Sequence, residues 1–442
     1  MAVKVFQAGY MSGDTYSASA YLAVEPEAQI LLIKDTKEPQ DKTDNVVYKF
    51  YQECGLGGRV KLLNLSTSTV KVKEVWRAFN DAPDTAPKKV EFTGVPATVE
   101  QTISALYYKF QPLSAWPRSI VSVTGLLANK FESAPVSSSR KVAELWKIGK
   151  FDTATKFALW EYAGNKFRKT GFDIRKNILV LWSRQSGKRG GAHLELDTSY
   201  AGIRQLVNYF AVDKATVVLA GDESKGKLAE IASGYTQVVN VAEMWKDDFW
   251  KKHFAGVNVL AQLAFFKFLA EDYNVVHLGM RSGMLETMAL LGMPVFYMEP
   301  APSPSGDRML AFSRSGIPYS RIQIDEPPGL TGLAAQQTIE SGIPAPSLSV
   351  YQDKVEKGSS SIKKFVPFQK SYGSYDRRSG TVTFGSTGDK AARSFAKASI
   401  VGREDKQSIK DGTVIRDTKR LRGFTNSDFE KIVARVEAAF KK

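Results

Sequence analysis

Short blocks of consecutive apolar residues recur along the first 300 positions, separated by stretches with helical spacing. Val3-Lys4-Val5-Phe6 reads as a strand, Gly9-Tyr10-Met11-Ser12-Gly13-Asp14 as a turn, Thr15–Val24 as a helix and Ile30-Leu31-Leu32-Ile33 as a buried strand. This β-loop-α-β order is how a doubly wound sheet begins, and it sets the 9–13 loop at the carboxyl end of the first strand, where such sheets take ligands. Further on, 71–79 and 102–110 read as helices, 119–124 as a strand and 133–139 as a loop around Pro135. Residues 141–169 carry Leu145, Trp146, Ile148, Phe151, Phe157, Trp160, Tyr162 and Phe167 at helical spacing, which predicts one or two helices leading to a second unit.

The alternation is most regular from residue 177. Ile178–Trp182, Val217–Gly221, 237–241, 273–277 and 294–298 predict five strands, with helices over 257–271 and 283–291. Regular βα alternation implies a parallel sheet with right-handed crossovers. The expected fold class is therefore α/β, with two facing Rossmann-like domains and a basic C-terminal extension. The expected boundaries are an N-terminal α/β domain over 1–140, a helical connector over 141–176, a C-terminal Rossmann-like domain over 177–330, and a basic, partly irregular extension over 331–442. That extension ends in a helix over 425–442, capped by Thr425 or Asn426, whose apolar face is Phe429, Ile432, Val433, Val436 and Phe440. In two-sheet folds such a helix often returns to the first domain.

Composition narrows the picture. The 442 residues are 43% hydrophobic and 24% charged, an ordinary globular balance. One cysteine, Cys54, excludes a disulfide framework or a multi-cysteine metal site, and three histidines do not supply a histidine-rich centre. No metal and no cofactor is expected. The first residues lack a secretory pattern, and no uncharged run approaches the ~20 residues that cross a bilayer, so a cytoplasmic protein is expected. Charge adds more: 61 Lys plus Arg against 46 Asp plus Glu gives +15. Residues 351–442 hold 21 basic and 11 acidic residues and so carry +10 of that total. Such a balance suits a polyanion or phosphorylated substrates.

Three segments carry candidate chemistry. In His277-Leu278-Gly279-Met280-Arg281-Ser282-Gly283-Met284-Leu285-Glu286, a strand meets a Ser-Gly turn that opens a helix, followed by Gly292-Met293-Pro294 and a strand. Unpaired amides and the helix dipole at Ser282 and Gly283 favour an anion, Arg281 adds a charged donor, and Glu286 sits on the first helical turn. Trp182-Ser183-Arg184-Gln185-Ser186-Gly187-Lys188-Arg189 sets three cations after a strand, where a phosphate or a nucleic-acid backbone would lie; its spacing is not that of a Walker loop. His193, Glu195 and Asp197 alternate just beyond it and read as a polar loop. Trp245-Lys246-Asp247-Asp248-Phe249-Trp250-Lys251-Lys252-His253 pairs two carboxylates between aromatics, either to bind a cation, to act as a base, or to cap a helix. Tyr10 and Ser12 of the first turn complete the candidate binding residues.

The 277–295 segment resembles the donor-binding motif of GT-B glycosyltransferases, most closely the heptosyltransferase pattern. It departs from that pattern at Arg281, where the family has an acidic residue. The Asp247-Asp248 segment, on a basic chain of this size, resembles the fungal arginine-containing cyclodipeptide synthases. Lys251 stands where their Asp-Asp-x-x-Glu motif has glutamate. That second resemblance implies a tRNA-dependent transferase joining aminoacyl-tRNAs, arginyl-tRNA among them, into a cyclic dipeptide. Asp247, Asp248 and Glu286 would be its catalytic residues, and Ser12, Ser186 or Ser282 a nucleophile if an intermediate is covalent. The alternative is a glycosyltransferase using a nucleotide-activated sugar, with Arg281, Ser282 and Glu286 on the donor.

Overall fold

In the computed structural model, the described residues are 4–65 (except 37, 39 and 40), 72, 118–119, 123–184 (except 172–173), 198, 200–254 (except 224–225), 258–300, 309–324, 374–376, 381–383, 424 and 426–441. The expected helices over 71–79 and 102–110 fall outside them, as does most of the basic extension.

The first sheet is built from β1 (Lys4–Ala8), α1 (Thr15–Val24), β2 (Gln29–Lys34), α2 (Tyr48–Glu53), β3 (Val60–Asn64) and β4 (Arg118–Ser119). Its strands are parallel in the order β3-β2-β1-β4. Ile30 to Ile33 of β2 are all buried, as a strand covered on both faces requires. α1 is rich in small residues and almost wholly buried, so neighbours close on it from all sides. The Arg59 guanidinium fastens the end of α1 and the turn that follows, donating to Leu22 O, Glu25 O and Ala28 O. Among the described residues, the run expected as a strand over 119–124 pairs with β1 at Arg118 and Ser119, and by Val123 the chain is helical. There α3 (Val123–Ser133) buries Val123, Thr124, Leu127, Ala128 and Phe131, a stripe whose adjacent pairs 123/124 and 127/128 a strand would have split between its two faces. The expected 133–139 loop is only a kink at Ala134. Pro135 is tolerated at the first position of α4 (Pro135–Leu145) because the amide it lacks would have no helical partner there. α5 (Thr153–Phe167) starts at Asp152, whose carboxylate accepts from Thr155 N at 2.7 Å.

The second sheet follows with β5 (Asn177–Ser183), α6 (Tyr200–Phe210), β6 (Thr216–Gly221), α7 (Lys227–Ser233), β7 (Val238–Asn240), α8 (Asp248–His253), α9 (Asn258–Asp272), β8 (Asn274–Met280), α10 (Gly283–Leu290), β9 (Val295–Pro300), α11 (Leu310–Arg314) and β10 (Tyr319–Ile324). Its six parallel strands run β10-β9-β8-β5-β6-β7. Renumbered within the sheet, that is the 3-2-1-4-5-6 order of the Rossmann fold, and the described strands of the first sheet follow the 3-2-1-4 part of the same order. The chain therefore has two Rossmann-like sheets.

Two apolar cores hold them. One runs through α1, α3, α4 and α5 to α9, α10 and the facing side of the second sheet, so both sheets share it. The other lies on the far side of the second sheet, under α6 and α7. The C-terminal helix α12 (Asn426–Phe440) does not return to the first sheet as expected. It buries Phe429, Ile432, Val433 and Val436 in the second core, beside Leu278, Met280, Met298, Ile322 and Ile324. Its entry is pinned by Gln205, whose side chain accepts from Phe424 N at 2.6 Å and donates to Phe424 O at 3.1 Å. Its far end is held by Glu437, which accepts from Tyr209 Oη at 2.9 Å and pairs with Lys214 at 3.2 Å. The reason is coverage: among the described residues no other helix packs over β8 and β10 on that side.

Candidate functional site

In a doubly wound sheet the crevice lies where strand order reverses, at the carboxyl ends of the strands. In the second sheet that point is between β5 and β8, which leave the edge at Ser183-Arg184 and Arg281-Ser282. In the first sheet it is between β1 and β4, where β1 runs out into Gly9. The two switch points face each other and touch. A Cβ placed on Gly283 would lie 2.5 Å from Gly13 O, so the backbones of the two turns pass closer than any side chain permits. Behind them α1 packs on α10, and Ser17 Oγ donates to Glu286 Oε2 at 3.0 Å, both buried.

The first turn is shaped by a buried glutamine. Gln7 accepts from Tyr51 Oη at 2.7 Å and donates to Thr15 Oγ1 at 2.9 Å and Met11 O at 3.0 Å. Gly9 lies under the segment after β2: Lys42 N donates to its carbonyl at 3.2 Å, and a Cβ there would sit 1.8 Å from Thr43 Oγ1. These contacts project Tyr10, Ser12 and Asp14, all half-buried, along the crevice. Asp14 stands at the N-terminus of α1 without capping it.

The second turn holds Arg281, Ser282, Gly283 and Glu286. Ser282 caps α10, its Oγ accepting from Leu285 N at 3.2 Å. Arg281 is mostly buried, with Nε 2.9 Å from Glu299 Oε2, and Arg321 donates from Nη1 to Glu299 Oε1 at 3.2 Å. Beside them Tyr297 and Tyr319 stack with ring centroids 4.3 Å apart. Burial, then the nearby carboxylates, holds both phenols well above their ordinary pKa, so they stay protonated. Glu299, Arg321, Tyr297 and Tyr319 are not among the residues singled out from the sequence.

Arg184 closes the base of the basic segment: its N–H donates to Thr198 Oγ1 at 2.9 Å and its carbonyl accepts from Thr198 N at 2.8 Å. Lys188, Arg189, Ser186, His193, Glu195 and Asp197 lie outside the described residues. Among the described residues no group of three His, Cys, Asp or Glu could hold a metal ion.

The acidic pair is elsewhere. Asp247 and Asp248 follow β7, three strand intervals from β8, or about 14 Å across the sheet. Asp247 accepts from Tyr162 Oη at 2.6 Å and Lys166 Nζ at 2.9 Å, tying α5 to the start of α8, and Tyr162 stacks on Phe249 at 4.5 Å. The Asp248 side chain is 91% exposed and pairs with Lys251 at 2.9 Å, which lowers its pKa. Asp247→Ala is expected to cost about 1 kcal/mol in urea unfolding, because Tyr162 loses its acceptor, while ligand binding at the switch points stays unchanged.

No family model and no curated protein matches the chain. Solved structures do. Escherichia coli ADP-heptose LPS heptosyltransferase II aligns with 73% of this chain and 90% of its own, at 13% identity and a TM-score of 0.33. A Veillonella parvula glycosyl transferase of family 9 aligns over 79% and 94% at 11% identity and 0.33. Anabaena HepE, in complex with UDP and glucose, aligns over 99% and 100% at 10% identity and 0.31. The strand orders by themselves establish the fold. The expectation of arginyl- or other aminoacyl-tRNA as substrate is corrected here: the similar proteins are named for ADP-heptose, glycosyl transfer, and UDP with glucose. The acidic pair that supported that expectation is engaged in the packing of α5 and α8, away from both switch points. No described helix is long and apolar enough to cross a membrane.

Proposed function

We propose that this chain is a transferase that takes a sugar activated by a nucleoside diphosphate and passes it to an acceptor hydroxyl. The observation that carries the reading is the contact of two Rossmann switch points through Gly13 and Gly283, with Arg281 at the same edge. One ligand placed there meets both sheets at once. The start of α10 directs backbone amides and a positive dipole end at a diphosphate. Arg281 stabilises the charge that grows on the leaving diphosphate. Asp14, next to Gly13, is the carboxylate of the opposing turn and takes the acceptor's proton. As the acceptor oxygen bonds to the anomeric carbon, the bond from that carbon to the diphosphate oxygen breaks, and the nucleoside diphosphate leaves with the electron pair. Glu286 holds Ser17 and so acts by keeping α1 and α10 in register.

Calorimetric titration with ADP, UDP and GDP tests the reading. At least one is expected to bind, and Arg281→Ala to weaken it roughly 10- to 100-fold, the range of a lost charge-assisted hydrogen bond. Binding of none of the three would sink the proposal.

A further inference from the structure

Glu299 is fully buried on the face of the second sheet that α10 covers. Register explains how it meets two arginines. Tyr297 on β9 is paired with Gly279 on β8 and Arg321 on β10, and the Arg281 N–H donates to Met298 O, which continues the β8–β9 ladder past the end of β8. Glu299 is two residues past Tyr297, so it lies level with Arg281 on one side and diagonal to Arg321 on the other, all three on one face. The carboxylate bridges them, Oε2 at 2.9 Å from Arg281 Nε and Oε1 at 3.2 Å from Arg321 Nη1.

Stability does not account for this arrangement. A buried ion cluster is commonly matched or surpassed in stability by apolar residues of similar volume. This one also leaves Tyr297 Oη and Tyr319 Oη beside it without a hydrogen-bond partner among the described residues, each at a desolvation cost. Groups kept at such a cost at a switch point point to ligand handling.

We propose that Glu299 is a positioning residue that holds Arg281 and Arg321 as one two-armed anion subsite for the diphosphate of the donor. This rests on the reading of the site as a nucleoside-diphosphate site and adds to it Arg321 as the second arm and Glu299 as the strut between them. A guanidinium is useful to a phosphate only when its planar fork is held in place. The carboxylate fixes both forks from the buried side and leaves the arginines as the rim residues of the trio, 9% and 16% exposed.

The sign of one substitution separates positioning from simple charge balance. If Glu299 were only a counter-charge, Glu299→Gln would add a positive charge to the site and tighten anion binding. If it positions the arginines, Glu299→Gln weakens binding of the nucleoside diphosphate by about tenfold or more despite the added charge. Glu299→Asp keeps the charge but draws the carboxylate back by one methylene. At an unchanged melting temperature it is expected to weaken binding as well, which a purely structural role would not do, and it serves as the test if Glu299→Gln does not fold. Arg321→Ala is expected to weaken binding to the same extent as Arg281→Ala. Calorimetry with ADP and UDP, with inorganic pyrophosphate as the minimal probe, reads all four. If the wild type binds a nucleoside diphosphate and folded Glu299 variants bind it as well or better, the positioning role is wrong and the site reading stands. If the wild type binds neither nucleotides nor pyrophosphate, both fall together.

Discussion

Ending the chain at Gly423 is expected to unfold the second Rossmann-like unit. The helix removed, α12, is the cover over the far side of β8 and β10. Its loss takes Phe429, Ile432, Val433 and Val436 out of the core together with Phe424, each worth about 1.5–3 kcal/mol when fully buried. It also bares Leu278, Met280, Met298 and Ile322 of the sheet beneath. The combined loss reaches the ~5–15 kcal/mol by which domains of this size are stable. The truncated chain is expected to bind a hydrophobic dye, to lose its cooperative urea transition, and to be cleaved within the second unit by a protease that spares the intact protein. A smaller lesion grades the effect. Phe424→Ala empties the space against Gly202, where a Cβ would lie 2.7 Å from the phenylalanine ring, and should cost about 3–5 kcal/mol. Gln205→Ala, which leaves the Phe424 amide and carbonyl without their partner, should cost about 1–3 kcal/mol. A truncated chain with native cooperativity and protease resistance would show that the second core closes without α12.

The amphipathic stripe of that helix was plain in the sequence, and its destination was not. Periodicity states that Phe429, Ile432, Val433 and Val436 must be covered, but which surface lacks a cover is a property of the finished sheet. The same division runs through the fold. Continuous apolar runs such as Ile30 to Ile33 and Ile178 to Trp182 are legible because a strand buried on both faces has no polar positions to blur it. The sixth strand of the second sheet was missed for the opposite reason. Tyr319–Ile324 is an edge strand after Pro318, with Ser320, Arg321 and Gln323 between its apolar residues, so it lacks the continuous run. At the site, the Arg281-Ser282-Gly283 turn was legible because a strand, a capping serine and a helix lie in one local stretch. Its partners were not: Ser17 is 269 residues from Glu286, and Arg321 meets Glu299 only because β10 is laid beside β9. The Asp247-Asp248 pair misled because its hydrogen-bonding partners, Tyr162 and Lys166, come from a helix more than 80 residues earlier.

The second large expected effect is an acid sensitivity carried by His277. This residue sits in the middle of β8, fully buried between Trp182 and Phe266. Trp182 Nε1 donates to its Nδ1 at 3.0 Å, so the neutral ring carries its proton on Nε2. No described residue accepts from Nε2, and burial pulls the pKa from 6.5 to about 3. Protonating Nδ1 would bury a charge and turn the acceptor of the Trp182 N–H into a competing donor. The folded pKa is below the unfolded one, so between pH 6.5 and about 3 the unfolded chain binds one more proton than the folded chain. The stability this residue contributes is therefore complete above pH 6.5 and is lost on acidification, by roughly 5 kcal/mol at pH 3 from the 1.36 kcal/mol per pH unit that one proton carries. His277→Gln retains an acceptor for Trp182 and does not titrate. Urea unfolding at intervals between pH 4 and 6 should then show a slope of stability against pH that is smaller in the variant by about 1.4 kcal/mol per unit. Every other group is common to both proteins and cancels in that difference. Parallel slopes would mean that the buried imidazole is protonated in the folded state, and that β8 accommodates a charge in the shared core of the two sheets.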